Sequence, residues 1–232
     1  MAGRVRRILA AGEPRGDVAR LKQLMDQVDR TRADAVALVG NLTEEGGKLE
    51  DYRAIFKTLG PPRVETFWVP GPADAPLTHY LQESSNIETV YPFLHGVHGT
   101  VALGSGYVLF GGMGGEILDD PNTQRDEVGA LRYPGWEVEY RLKVLREFSH
   151  EYEKVFLFAT LAAHKGLHQP GSEVLAELIK TYNPRVTLMA GGDGVRQELL
   201  ASTLVVLPGS LTRGQYAVVD IQDRKAEPAQ LE

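Results

Sequence analysis

The ten residues from Ile8 to Asp17, Ile-Leu-Ala-Ala-Gly-Glu-Pro-Arg-Gly-Asp, constrain this chain more than any other stretch. An apolar strand runs there into a glycine-bearing turn. Val18, Leu21, Leu24, Met25 and Val28 follow at helical spacing, with Arg20, Lys22, Asp26 and Gln27 between them, so one helix face is buried and the other is wet. Strand, tight turn and helix in that order build α/β folds, which keep their chemistry at the carboxyl ends of the strands.

The same grammar recurs. Ala35 to Val39 is a continuous apolar run ending in Gly40, as expected of a parallel strand covered on both faces, and Asn41 sits just past its end. Tyr52, Ile55, Phe56 and Leu59 mark a second amphipathic helix, stopped by Gly60-Pro61-Pro62. Val64 to Val69 reads as the third strand, Pro70-Gly71-Pro72 as its turn, and Leu77, Tyr80 and Leu81 as a short helix. From Ile87 to Phe110 the pattern predicts shorter strands between glycines, the clearest being Tyr107 to Phe110. The glycine-rich Gly111 to Glu116 hints at a phosphate cradle but lacks the Lys-Ser/Thr ending of a P-loop, and 111–136 reads as an insertion or loop. Pro134 opens a helix carrying Trp136, Tyr140, Val144 and Leu145 on one side; Arg132-Tyr133-Pro134 and Trp136 could cap a ligand or a partner surface, although Trp136 and Tyr140 at helical spacing are more typical of core. Val155 to Phe158 is a buried strand. Ser172 caps a helix over Val174, Leu175, Leu178 and Ile179 that Asn183-Pro184 ends. Val186 to Met189, Leu204 to Leu207 and Tyr216 to Asp220 are the last strands, and the tail from Arg224 is polar.

At 232 residues, 43% hydrophobic and 24% charged, one domain spanning 1–232 is expected. A net charge of −6 gives no broad basic surface for nucleic acid. The absence of cysteine excludes disulfides, thiolate metal sites and a cysteine nucleophile. Ile8 to Ala11 is too short for a signal-peptide core, and no apolar run could cross a bilayer, so a cytoplasmic location is the default. No Gly-x-Gly-x-x-Gly follows the first strand and no Gly-x-Ser-x-Gly elbow occurs, which counts against dinucleotide binding and serine hydrolysis. Pattern alone leaves α/β, with a Rossmann-like sheet as competitor.

The opening turn, Val39-Gly40-Asn41, Val69-Pro70-Gly71-Pro72-Ala73-Asp74, Ala190-Gly191-Gly192-Asp193-Gly194 and Leu207-Pro208-Gly209-Ser210 together resemble the strand-end turns of the calcineurin-like metallophosphoesterase superfamily. The resemblance implies a four-layer αββα sandwich of two mixed β-sheets flanked by helices. It also implies two divalent ions some 3.5 to 4 Å apart that clamp a phosphate and make hydroxide at neutral pH. The family's ligands are an Asp-x-His, an Asp, a Gly-Asn-His, a later His and a closing Gly-His-x-His. Their positions fall here on Glu13 and Arg15, on Asn41, on Pro72 with Ala73 in place of the catalytic His, on Leu161, and on Gly192 and Gly194. Only Glu13 and Asn41 keep an oxygen donor. Arg15 places a fixed positive charge where a cation would enter, and Glu13 can neutralise it across the turn.

The expectation is therefore a fold member that has lost the dinuclear centre, with no catalytic set, metal or cofactor. Its former active site, formed by Glu13, Arg15, Asn41, Asp74, His164 and Asp193, would bind a phosphate- or nucleotide-like small molecule, since a guanidinium and helix-start N–H groups suit phosphate, or a protein partner. A homo-oligomer fits equally, whereas nucleic acid and membrane do not. Turn stabilisation is the competing role for Asp74 and Asp193. His164 and His168 lie four apart, but Gly166 between them and the missing Glu argue against a zincin site. The alternative is an active phosphoesterase using no metal or an altered set built from Glu13, Asn41, Asp74 and Asp193.

Overall fold

The computed structural model describes residues 4–148, 152–167 and 170–232. The first sheet has the spatial order β14 (Lys225–Gln230), β13 (Gln215–Asp220), β1 (Arg7–Gly12), β2 (Ala35–Val39), β3 (Glu65–Val69) and β4 (Leu94–Gly96). β1 to β4 are parallel, while β13 and β14 run antiparallel to their neighbours. The second sheet is β11 (Val195–Leu200), β12 (Thr203–Pro208), β10 (Val186–Met189), β9 (Glu153–Phe158), β6 (Val108–Met113) and β5 (Thr100–Gly104), antiparallel only at its two margins. A small parallel pair, β7 (Glu116–Leu118) and β8 (Arg132–Pro134), stands apart. The helices are α1 (Val18–Met25), α2 (Gln27–Thr31), α3 (Leu49–Leu59), α4 (Leu77–Val90), α5 (Gly135–Leu142) and α6 (Glu173–Tyr182).

The two mixed sheets and their flanking helices form the αββα sandwich that the turns imply. Between the sheets lies one apolar layer of small and β-branched side chains, including Ala10, Ala37, Val39, Val155, Val186 and Val206. Phe67 and Phe110 stack across it with ring centroids 3.6 Å apart. Alternate residues of the same strands, such as Leu9, Leu38, Trp68, Phe156 and Met189, meet the helices in the second core. A strand buried on both faces must be apolar at every position, which is why Ala35–Val39 reads identically in sequence and structure.

Several boundaries differ from the pattern. The helix opened by Leu77 runs for 14 residues, to Val90, and so takes in the Ile87 region expected as strand. Gly111 to Met113 is not a phosphate loop but the second half of β6, paired with Phe156 to Phe158. A Cβ on Gly112 would overlap the Leu157 carbonyl, so these glycines permit strands to approach rather than a ligand. The stretch 111–136 thus contains parts of β6, β7 and β8. β11 carries little apolar signal in the sequence because its side chains are mostly half-buried or exposed, and the polar tail is the edge strand β14, with charges and a proline typical of an edge. No described helix is long and apolar enough to cross a membrane.

Candidate functional site at the strand ends

Gly12 ends β1 by donating its N–H to Gly209 O at 2.9 Å, which joins the two sheets beneath the turn. Gly40, at φ +89°, lets the second turn pass Ala190; a Cβ there would lie 2.7 Å from that alanine's Cβ and 3.4 Å from Glu13 Cγ. Glu13 and Arg15 themselves adopt left-handed backbone, φ +47° and +46°, at a cost on the order of 1 kcal/mol each for residues with a Cβ. Surrounding hydrogen bonds impose it. Glu13 N–H donates to Val39 O, Arg15 N–H to Asn41 O, Gly16 N–H to Leu42 O and Asp17 N–H to Pro14 O, at 2.8 to 3.1 Å.

The turn brings three of the six expected side chains together. Arg15 Nη2 lies 3.1 Å from Glu13 Oε1, and Asn41 Nδ2 donates to the same oxygen at 3.3 Å. Asn41 Oδ1 accepts from the Ala73 N–H at 2.8 Å, so the amide ties the first turn to the third. Arg15 Nη1 also reaches Glu44 Oε2 at 3.5 Å. Glu44, three residues beyond Asn41 in an acidic loop, has no periodic signal that could have marked it. The guanidinium is thus held between two carboxylates, while Asp17, the cap of α1 through the Arg20 N–H, lies 3.8 Å from the Arg20 side chain.

Asp74 lies buried beneath these turns rather than on an open face. It is fully inaccessible, and accepts from the N–H groups of Leu42, Thr43 and Gly71 and the hydroxyls of Thr43 and Tyr52 at 2.7 to 3.0 Å. Burial pushes its carboxyl pKa up, against the pull of these hydrogen bonds. Asp193 stands apart on the loop after β10, its side chain 86% exposed and 3.7 Å from Arg213. His164 opens a single 3-10 turn and accepts the Gly166 N–H at Nδ1, 3.2 Å away; no hydrogen bond links it to Glu13, Arg15 or Asn41 among the described residues. His168 lies outside the described residues.

Sequence reasoning passed over a second polar cluster, beside the third turn. His98 accepts the Gly114 N–H at Nδ1, and its Nε2 is 3.1 Å from the Tyr133 hydroxyl. Arg141 covers the Tyr133 ring and pairs with Glu137 at 2.6 Å and Glu127 at 3.5 Å. Burial, with the Arg141 charge, lowers the His98 pKa to about 3.

A two-metal centre needs several carboxylate, imidazole or amide donors converging on each ion. At the family's positions the chain offers Glu13 and Asn41, already bonded to each other, with Arg15 paired to the same Glu13 oxygen. Pro72, Leu161, Gly192 and Gly194 offer no side-chain donor, and no cluster of three or more His, Cys, Asp or Glu suits a metal among the described residues. The residues present do not fit the group.

Fold and turns together define the class. The chain belongs to the calcineurin superfamily of metallophosphoesterases, whose family model matches residues 52–231. Among solved structures it is similar to TT1561 of Thermus thermophilus, with 44% identity over 98% of this chain and all of that one and a TM-score of 0.94. It shares its fold with a dimetal phosphatase from Danio rerio, at 10% identity over 99% of this chain and 100% of that one and a TM-score of 0.61. It also shares it with GAP50, the anchor in the inner membrane complex of Plasmodium, at 10% identity over 97% and 88% of the two chains and a TM-score of 0.57. Comparison with curated proteins gives no match.

Proposed function

We propose that this chain is a non-hydrolytic member of its superfamily, in which the Glu13–Arg15–Asn41 cluster takes the place of the dinuclear centre, and that it works by binding a protein partner. The observation that carries the reading is the guanidinium of Arg15 held against Glu13 at the position of the first metal ligands. A fixed positive charge there opposes an incoming dication, and Glu13, the one carboxylate at a position of the family's metal ligands, already pairs with it.

The same geometry ranks the ligands. A phosphate needs free donors, but the N–H groups of Glu13, Arg15, Gly16, Asp17 and Val18 all donate to backbone carbonyls, and Asp17 takes the Arg20 N–H. Arg15 is already shared between Glu13 and Glu44 and Arg20 pairs with Asp17, so neither guanidinium is unpaired. A phosphate-bearing ligand is therefore the weaker form of the proposal and a protein the stronger. Hydrolysis through Glu13, Asn41, Asp74 and Asp193 lacks support from the geometry, since Asp74 is sealed inside and Asp193 pairs outward with Arg213.

Elemental analysis of purified protein, followed by hydrolysis of a generic phosphodiester with and without added Mn²⁺, tests this. The expected result is no stoichiometric metal and no turnover above that of Asn41→Ala. Metal-dependent turnover that disappears in Asn41→Ala would establish the hydrolase instead. A thermal-shift screen of phosphates and nucleotides separates the two ligand classes, because a ligand at 100 times its dissociation constant adds about 2.7 kcal/mol to folding; no shift is expected.

A further inference from the structure

Val155 and Leu157 of β9 enter the layer between the sheets, and Phe156 and Phe158 the core under the helices. The pleat therefore puts Lys154 on the helix side, one step before Phe156. Glu153, on the other face, takes Arg4 at 2.8 Å, Gln222 at 2.8 Å and Arg185 at 3.8 Å. Among the described residues neither Lys154 nor Arg146 forms an ion pair. Lys154 is half-buried, and burial alone pulls its ammonium pKa below the ordinary lysine value, as happens to a cation with no carboxylate against it.

The same lysine lines a cavity of about 580 Å³, between the 3-10 turn Lys143–Arg146 that follows α5 and the last turn of α6. Leu145, Phe148, Tyr152 and Tyr182 give it apolar surface, and Arg146 is its exposed cation. Tyr152 meets Phe148 edge-on with ring centroids 5.5 Å apart, and Tyr182 meets Phe156 in the same way at 6.2 Å. Small-molecule sites are clefts of about 300 to 1,000 Å³ in which apolar walls carry a few polar groups.

We propose that this cavity binds a small aromatic carboxylate, its anionic end paired with Lys154 and Arg146 and its ring against Phe148, Tyr152 and Tyr182. Charge selects the anion. Glu153 stands in the wall, and α6 ends here at Asn183, bringing the carbonyl end of the helix and roughly half a negative charge. Both oppose a phosphate dianion, which favours helix starts, whereas a single carboxylate is matched by the two spare cations. A ring adds edge-to-face contacts that an aliphatic chain lacks. β10, parallel to β9, ends beside Gly40, so the start of β9 lies at the opposite end of the sandwich from Glu13 and Arg15. The inference is therefore independent of what the strand-end site does.

Isothermal titration of the full chain with 3-phenylpropanoate, its neutral amide, hexanoate and inorganic phosphate tests it. 3-Phenylpropanoate is expected to bind at one site with a dissociation constant below about 1 mM. The amide should bind at least about tenfold more weakly, hexanoate about threefold or more weakly, and phosphate not detectably. Lys154→Met should weaken the carboxylate at least about tenfold and leave the amide unchanged, while Lys154→Arg retains binding. Arg146→Glu, on the exposed side of the cavity, applies the same test at a position where folding is not at stake, and should also lose the carboxylate selectively. No saturable binding of 3-phenylpropanoate by about 1 mM would overturn the proposal. So would an amide, hexanoate or phosphate that binds as tightly, or Lys154→Met and Arg146→Glu proteins that titrate like wild type.

Discussion

Glu13 and Arg15 show how little of a side chain's role lies in its identity. Both residue types usually sit on solvated surface, and a half-exposed ion pair contributes only about 0 to 1 kcal/mol, yet here each is held in left-handed backbone. Arg15→Gly should therefore be more stable than Arg15→Ala by about 1 kcal/mol, because glycine accepts φ +46° without penalty; urea unfolding of the two variants measures the difference. Asp74 is the opposite case. Asp74→Ala strands three backbone N–H donors inside the protein and leaves the Thr43 and Tyr52 hydroxyls only each other, and about 3 kcal/mol or more of stability should be lost, seen as a lower urea midpoint with the slope unchanged. The sequence places Asp74 in the right turn but not on the right side of it. A turn aspartate facing inward and one facing a cleft are spelled alike, and only the packing of Thr43 and Tyr52 against it decides.

At the level of elements, legibility follows burial. β2 and β3 and the helix faces of α3 and α6 are readable because apolar side chains must recur at the period of the element that buries them. β11 and β14 are not, since an edge strand takes its hydrogen bonds from a neighbouring strand and can be polar on the face it leaves to solvent. β6 misleads for a related reason: its Gly111-Gly112 mimics a loop but serves close strand packing. Gly112→Ala should prevent β6 and β9 from closing and lower the yield of folded protein sharply, or cost about 3 kcal/mol or more if it folds. For α5 the apolar stripe and its periodicity are both legible, but the face it presents is not. Periodicity reports that a helix has two sides; Val138 and Leu142 enter the core beside the Glu137–Arg141 pair, which reaches Glu127 and Tyr133, and Trp136 and Tyr140 are left outside.

Across the whole molecule, the buried polar cluster under α5 links stability to pH. His98 binds its proton with a pKa of about 3 in the folded protein and 6.5 as an ordinary imidazole, so between those values the unfolded chain holds more protons. Its contribution is complete above about pH 6.5 and falls as pH drops toward 3, by at most about 1.4 kcal/mol per pH unit. Urea unfolding at about pH 7, 6, 5 and 4 should show that decline, and His98→Gln, which cannot take up the proton, should flatten it.

The amino-acid sequence alone determined the alternation of strand and helix, the strand-end turns and which of the superfamily's ligand positions are vacant, because each is a local property of a few neighbouring residues. Tertiary structure alone decided that Glu44 joins Glu13, Arg15 and Asn41 while Asp74 sinks beneath them, and that Trp136 and Tyr140 face water. Those outcomes depend on which chain segments meet across the sheets, and residues 28 or more positions apart carry no mutual spacing from which a meeting could be read.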